Sequence, residues 1–134
     1  MFQSTEKILA IDFGTKRIGL ALSFGTLADP LTVIPADEHM LNYICNVITN
    51  YRVHRVIVGI SENEMARKTK EFVLQLKKVV KIPIELHDET LSTHTVRNKL
   101  AEQHKTQNRP VDHLAAAVFL QDWLDTRQVK TPGL

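Results

Sequence analysis

Apolar runs and amphipathic stretches alternate along the chain in an order that predicts a β-sheet with flanking helices. Residues 8–11 are all apolar and end at Asp12, which predicts a buried strand followed by a turn. The apolar residues 18–23 come after a short polar turn and predict an antiparallel partner for that strand. A third short strand is predicted at residues 31–34, between two prolines. The first part of the chain is therefore expected to form strands joined as hairpins.

The pattern changes to helical spacing after the third strand. Apolar residues recur every three or four positions from Met40 to Ile48, which predicts an amphipathic helix with Asp37 as its N-cap. Residues 54–60 then form a run rich in β-branched side chains, which predicts a buried strand in a parallel, central position.

Helices and strands continue to alternate in the rest of the chain. Residues 64–80 predict a helix with a solvated basic side, and residues 81–87 predict a strand near a sheet edge because they contain a proline. Two more helices are predicted at about residues 92–104 and 111–125. The apolar side of the helix at 64–80 includes Met65, Phe72, Leu76 and Val79. The apolar side of the helix at 111–125 includes Leu114, Ala115, Val118 and Trp123. The order predicts an α/β fold with a mixed sheet, parallel around the first, fourth and fifth strands.

Composition limits the classes of function. A chain of 134 residues suits one domain, 1–134, and 43% hydrophobic with 24% charged residues is typical of a globular protein. Residues 1–7 lack the apolar region of a signal peptide and no run approaches the length of a membrane span, so we expect a cytoplasmic protein without membrane contact. The single cysteine, Cys45, excludes an internal disulfide, and we expect it to be buried in the core. A net charge of +2 limits any nucleic-acid surface to a local patch.

Carboxylates follow two of the predicted parallel strands. Asp12 ends the first strand, Asp88 and Glu89 end the fifth, and Asp112 falls in the first turn of the last helix. Sites in such sheets lie outside the carboxyl ends of the parallel strands. Converging carboxylates can hold Mg²⁺ or Mn²⁺, and such ions can activate a water for attack on a phosphodiester. Capping and turn acids without a metal are an equal alternative on the pattern alone.

Four segments carry a family resemblance. Residues 11–21, 56–59, 86–93 and 111–116 occur in this order and closely resemble the YqgF/RuvX family of RNase H-like proteins. The resemblance extends from about Ile8 to Leu124. It implies a single RNase H-like domain with a five-stranded mixed sheet flanked by helices. The family is described as Holliday junction resolvases and, in bacteria, as nucleases that act at the 5′ end of precursor 16S rRNA.

The resemblance implies roles for the same acids. The first-strand aspartate of the family falls on Asp12, the carboxylates of its DER-type motif fall on Asp88 and Glu89, and its helix aspartate falls on Asp112. All four are thus expected to be catalytic, with Asp12, Glu89 and Asp112 as ligands of Mg²⁺ or Mn²⁺. Glu89 is favoured over Asp88 as the ligand, and Asp88 is expected to assist or to substitute for it. Neighbouring strand residues point to opposite faces, so only one of the two is expected to reach the metal. The family's DER arginine is replaced by Thr90, which cannot bind phosphate through a bidentate fork.

Basic residues near these acids predict a nucleic-acid partner. Lys16 and Arg17 follow the Asp12 turn and can contact a phosphate. Arg97 and Lys99 belong to the stretch 97–109, which holds four Lys or Arg residues and one Glu. Ordinary solvated surface charges are the alternative interpretation of all four residues.

The sequence therefore predicts a metal-dependent endonuclease of structured nucleic acid that processes the 5′ end of pre-16S rRNA. One alternative is a Holliday junction resolvase acting on branched DNA, whose two-fold symmetric substrate calls for a homodimer. The other is a non-catalytic nucleic-acid or transcription-complex binding module. Thr90 and the altered loop after Gly59, Ile60–Glu64, favour this second alternative.

Overall fold

A computed structural model describes residues 6–60, 65–88 and 114–130 of the chain, including the side chains of 115–126 in the last range. These ranges contain five strands and three helices. The elements are β1 Ile8–Phe13, β2 Arg17–Phe24, β3 Leu27–Pro35, α1 Met40–Asn50, β4 Arg55–Ile60, α2 Met65–Val79, β5 Ile84–Asp88 and α3 Leu114–Lys130. The predicted helix at about residues 92–104 lies outside the described residues.

The five strands form one mixed sheet in the order β3-β2-β1-β4-β5. β2 is antiparallel to both β1 and β3, whereas β4 is parallel to both β1 and β5. The predicted hairpins, the parallel pairing and the edge position of β5 are therefore confirmed. Because β1, β4 and β5 run in the same direction, they end at one edge of the sheet, which we call the carboxyl edge.

Side chains of β1 alternate between two hydrophobic layers, as consecutive residues of a strand must. Leu9 and Ile11 pack in a core with residues of α1 and α2, whereas Ile8 and Ala10 pack with residues of α3 on the other side of the sheet. All four side chains are almost completely buried. The sheet is thus covered by helices on both faces, and every residue of β1 faces either the α1/α2 side or the α3 side.

The third strand is longer than the sequence pattern indicated. β3 spans Leu27–Pro35 and not only residues 31–34, and it includes Pro30, which lies opposite Ala21 where the register shifts. An edge strand tolerates proline because its outer side needs no ladder hydrogen bond. The start of β3 is also held by α3, since the Ala28 N–H donates to Oε1 of Gln121 over 2.9 Å. The two residues are 93 positions apart in sequence, so no local pattern predicts this contact.

The predicted N-cap of α1 is wrong. The helix begins at Met40 with His39 as its N-cap, and the His39 side chain forms no capping hydrogen bond. The Asp37 side chain instead accepts a hydrogen bond from the His39 N–H over 2.9 Å. Asp37 therefore stabilises a turn that precedes the helix, which is a common alternative role of aspartate.

The apolar faces of two helices also differ from the prediction. In α2, Phe72 and Leu76 are buried as predicted, but Val79 is 54% exposed. Thr69 and Val73, which were not predicted, are buried instead. In α3, Ala115 is exposed and residues 116–120 are all buried, which is a run without helical period. A helix buried around much of its circumference loses the amphipathic pattern on which the prediction depended. Cys45 is only partly buried, at the border of the core.

None of the helices in the described ranges has both the length and the apolar character needed to cross a membrane.

Candidate active site at the carboxyl edge

Asp12 lies near the end of β1, in the middle of the sheet. It pairs with Gly19 of β2 on one side, and the preceding residue, Ile11, pairs with Val58 of β4 on the other. Since Ile8 and Ala10 face α3, the alternation of the strand directs Asp12 to the α3 side as well. The residue is partly buried at the point where the hydrophobic layer ends.

A cavity of about 450 Å³ opens beside Asp12. It is lined by Asp12, Phe13, Gly14, Arg17, Gly19, Val33 and Ala115. These residues come from the first three strands, from the β1–β2 turn and from the first turn of α3. Because Gly19 has no side chain, the position directly across from Asp12 stays open. The cavity therefore brings an acidic and a basic residue, Asp12 and Arg17, to one opening at the carboxyl edge.

The turn between β1 and β2 determines where Arg17 lies. A Cβ atom added to Gly14 would be 2.6 Å from the backbone oxygen of Arg17, so this close approach of the chain to itself requires glycine. The turn is also attached to the end of β3, since the Ala36 N–H donates to the Lys16 carbonyl oxygen over 2.9 Å. Both predicted phosphate-binding residues are exposed: Lys16 lies in the turn, and Arg17, the first residue of β2, lines the Asp12 cavity.

Asp88 ends β5 at the same edge as Asp12 but on the other face of the sheet. It pairs with Ile60, and the preceding residue, His87, contacts α3. His87 Nε2 lies 3.1 Å from Oδ2 of Asp122, and the His87 ring stacks on Phe119 with centroids 6.0 Å apart. Strand alternation therefore directs Asp88 to the α1/α2 side, away from the Asp12 cavity.

The other predicted site residues, Glu89, Arg97, Lys99 and Asp112, lie outside the described residues. Asp12 is thus the one predicted metal ligand that the structure describes. Within 6–60, 65–88 and 114–130, no three His, Cys, Asp or Glu side chains form a group able to hold a metal ion. The predicted ligand set stays a prediction.

Sequence reasoning did not select several residues of this region. Val33 and Ala115 reach the cavity from elements distant in sequence, and no motif indicates them. Gly19 did have a signal, because glycine inside a strand often marks a close approach. The His87–Asp122 pair joins residues 35 positions apart, and both side chains are 15% exposed. No spacing rule predicts such a contact.

Comparison with known proteins identifies the family. The sequence model of one family, described as RuvX: Holliday junction resolvase, matches residues 6–126. The chain belongs to the RuvX family. Curated relatives with the name "Putative pre-16S rRNA nuclease" include a protein from Sulfurihydrogenibium sp., 36% identical over 131 residues, which cover 90% of this chain and 90% of the relative. Another, from Anaeromyxobacter sp., is 37% identical over 135 residues, with coverage of 90% and 98%.

Solved structures show the same fold as this RuvX-family chain. RuvC of T. thermophilus, in complex with Holliday junction substrate, superposes with a TM-score of 0.61 at 20% identity, over 92% of this chain and 96% of RuvC. The fowlpox virus Holliday junction resolvase superposes with a TM-score of 0.54 at 14% identity, over 90% and 99% of the two chains. At these identities the similarity concerns the fold, and it confirms the predicted RNase H-like architecture.

Proposed function

We propose that this RuvX-family protein is a nuclease that hydrolyses phosphodiester bonds of structured nucleic acid, with the 5′ end of pre-16S rRNA as its substrate. The observation that carries the proposal is the Asp12 carboxylate in a cavity at the carboxyl edge, with Arg17 in the same wall. The names of the curated relatives support the choice of RNA. We further propose that residues 1–134 act as one nuclease domain, in the cytoplasm, where precursor rRNA is processed.

The proposed metal ligands are Asp12, Glu89 and Asp112. Carboxylate oxygens suit Mg²⁺ and Mn²⁺, and the Asp12 cavity has space beside its carboxylate because Gly19 lacks a side chain. When bound, such ions activate a water and stabilise the leaving oxygen of a phosphodiester. Within the DER-type motif we propose Glu89 as the ligand, since Asp88 belongs to the opposite face of the sheet. Asp88 then assists only indirectly.

The cations of the β1–β2 turn have a distinct proposed role. Arg17 is positioned in the cavity wall to contact the phosphate at the cleavage site through its planar guanidinium. Lys16 is exposed one residue earlier and is suited to a flanking phosphate. Arg97 and Lys99 are proposed to extend this contact surface.

A Holliday junction resolvase is the second candidate function. The description of the family and the similarity of the fold to RuvC favour it. A four-way junction has two-fold symmetry, so this activity would call for a homodimer with two Asp12 sites. A binding module without catalysis is the third candidate, and Thr90 in place of the motif arginine favours it.

The test compares wild-type protein with Asp12→Asn on two substrates, an RNA that contains the 5′ end of pre-16S rRNA and a four-way DNA junction. Each reaction is run with Mg²⁺, with Mn²⁺ and with EDTA. Asp37→Asn is the matched control, because Asp37 lies in an exposed turn and asparagine retains its acceptor oxygen. We expect metal-dependent cleavage of the RNA by wild type and control, and a loss of about 100-fold or more in Asp12→Asn.

Each other outcome selects an alternative. Cleavage of the junction and not of the RNA would identify a resolvase. Equal binding of RNA by wild type and Asp12→Asn without any cleavage would identify a binding module. Full activity of Asp12→Asn would disprove the proposed site.

A further inference from the structure

A second cavity lies on the α1/α2 side of the sheet, and neither Asp12 nor Asp88 is among the described residues that line it. It has a volume of about 360 Å³ and is formed where the end of β1 meets α1 and α2. Its lining includes Phe13, Thr15, Lys68, Glu71, Phe72 and Gln75. Pockets for small organic groups span about 300–1,000 Å³, so this groove can hold a group the size of a nucleobase.

An aromatic side chain forms the floor of this groove. The Phe13 ring is partly buried and stacks on the buried Phe72, with centroids 4.5 Å apart and an angle of 19° between the rings. Packing against a core residue holds the Phe13 ring in one orientation. Proteins that bind single-stranded nucleic acid use such aromatic side chains to stack against bases, whatever the base sequence.

The rim of the groove is polar and carries an exposed cation. Lys68 is exposed on α2, and the Thr15 hydroxyl and the Gln75 amide add groups that donate and accept hydrogen bonds. Glu71 is the one acid among the described lining residues, and it forms an ion pair with Arg67 at 3.9 Å. A cation beside an aromatic floor is the arrangement that binds a phosphate together with its base.

The groove and the Asp12 cavity are neighbours around the β1–β2 turn. Phe13 contributes to both, and Thr15 of the groove belongs to the same turn as Gly14 and Arg17 of the Asp12 cavity. Thr15, Lys16 and Arg17 follow one another in the chain and all three are exposed. A single strand that leaves the Asp12 cavity can therefore pass over exposed residues of this turn to the groove.

We propose that this groove binds an unpaired nucleotide of the RNA next to the cleavage site, with its base against Phe13 and a phosphate at Lys68. The proposal rests on the proposed nuclease function, because it extends the path of the same substrate. It assigns the groove to single-stranded RNA and gives the strand a binding site beyond the scissile bond.

The first test measures binding by fluorescence anisotropy in EDTA, where no cleavage occurs. The probes are a fluorescein-labelled RNA hairpin with a single-stranded flank and the same hairpin without it. We expect Lys68→Ala to weaken binding of the flanked hairpin by about five- to tenfold and to leave the unflanked hairpin within about twofold of wild type. In cleavage assays the same variant raises KM and leaves kcat unchanged.

Lys70→Ala is the matched control. Lys70 is exposed on the same helix but is not among the described residues that line the groove, so the substitution removes the same charge elsewhere. We expect it to change the affinity for both hairpins equally, and by less than about twofold. Equal effects of the two lysine variants on the flanked hairpin would overturn the proposal.

Photo-crosslinking tests the aromatic floor without a variant that could unfold. A flank that carries 5-iodouridine is irradiated with wild-type protein, and the modified peptide is identified by mass spectrometry. Crosslinking to Phe13 supports the groove, whereas crosslinks that avoid this residue overturn it.

If the protein cleaves no RNA but Lys68→Ala still loses flank binding selectively, the nuclease proposal fails and the groove stands. If the RNA is cleaved and Lys68→Ala behaves like wild type, the groove proposal fails and the nuclease proposal stands.

Discussion

Replacement of Gly14 by alanine tests whether the β1–β2 turn holds Arg17 beside Asp12. The new Cβ atom would be 2.6 Å from the backbone oxygen of Arg17, and real contacts of this kind are not shorter than 3.0 Å. The obstacle is backbone, which cannot rotate away as a side chain would, so the turn itself must open. Overpacking of this kind costs about 1–3 kcal/mol.

The expected loss of stability converts to a change in melting temperature. At about 2.1 cal/mol/K per residue, the unfolding entropy of a chain of this length makes 1 kcal/mol equal to about 3.5 °C. Gly14→Ala should thus lower Tm by about 4–10 °C in differential scanning calorimetry. At 25 °C, where the variant stays folded, cleavage of the pre-16S RNA should also fall, because Arg17 moves with the turn.

Gly25→Ala provides the matched control for this substitution. Gly25 lies in the β2–β3 turn at a φ of +65°, and nothing lies within 4 Å of an added Cβ atom. The control therefore has only the backbone penalty of alanine at positive φ, about 1–2 kcal/mol, and should retain full cleavage activity. A Gly14→Ala protein with the Tm and activity of wild type would contradict the role given to Gly14, since the turn would then accept a side chain without moving.

Further substitutions test one contact within the sheet and one contact between the sheet and α3. Ser23→Ala removes the buried Oγ that accepts the Ile8 N–H over 2.8 Å, and the orphaned N–H should reduce the free energy of unfolding in urea by about 1–3 kcal/mol. A variant within about 0.3 kcal/mol of wild type would contradict this assignment. Asp122→Ala removes the partner of His87 at 3.1 Å and should cost about 1 kcal/mol, whereas Asp122→Asn retains an acceptor oxygen and most of that stability. If His87→Ala and Asp122→Ala lose stability additively in a double-mutant cycle, the two side chains do not interact.

The main elements of the sheet could be predicted because their signals are local. The apolar run of β1 and the β-branched run of β4 are long enough to identify two buried strands, and the short turn before β2 leaves room only for a hairpin. β3 shows the limit of such signals. Its extension through Pro30 depends on its edge position and on a hydrogen bond to Gln121 of α3, and neither is visible in a short window of sequence.

The candidate site could be predicted only in part, for a similar reason. The strands predicted to end at Asp12 and Asp88 are parallel, so both residues are expected at the carboxyl edge. The faces to which they point depend on strand register and on the helices that pack against each side. The contact of His87 with α3 identifies the α3 side of β5, and that assignment separates Asp88 from Asp12.

The sequence alone predicted the succession of strands along the chain, the parallel pairing of β1, β4 and β5, and the candidate acid at the end of β1. It could do so because hydrophobic periodicity and turn residues act over a few neighbouring positions. Tertiary structure decided which side chains share a cavity: Arg17, Val33 and Ala115 with Asp12 on one face, and Lys68 and Gln75 with Phe13 on the other. Such groupings arise from the packing of distant elements, and no local pattern encodes the geometry of that packing.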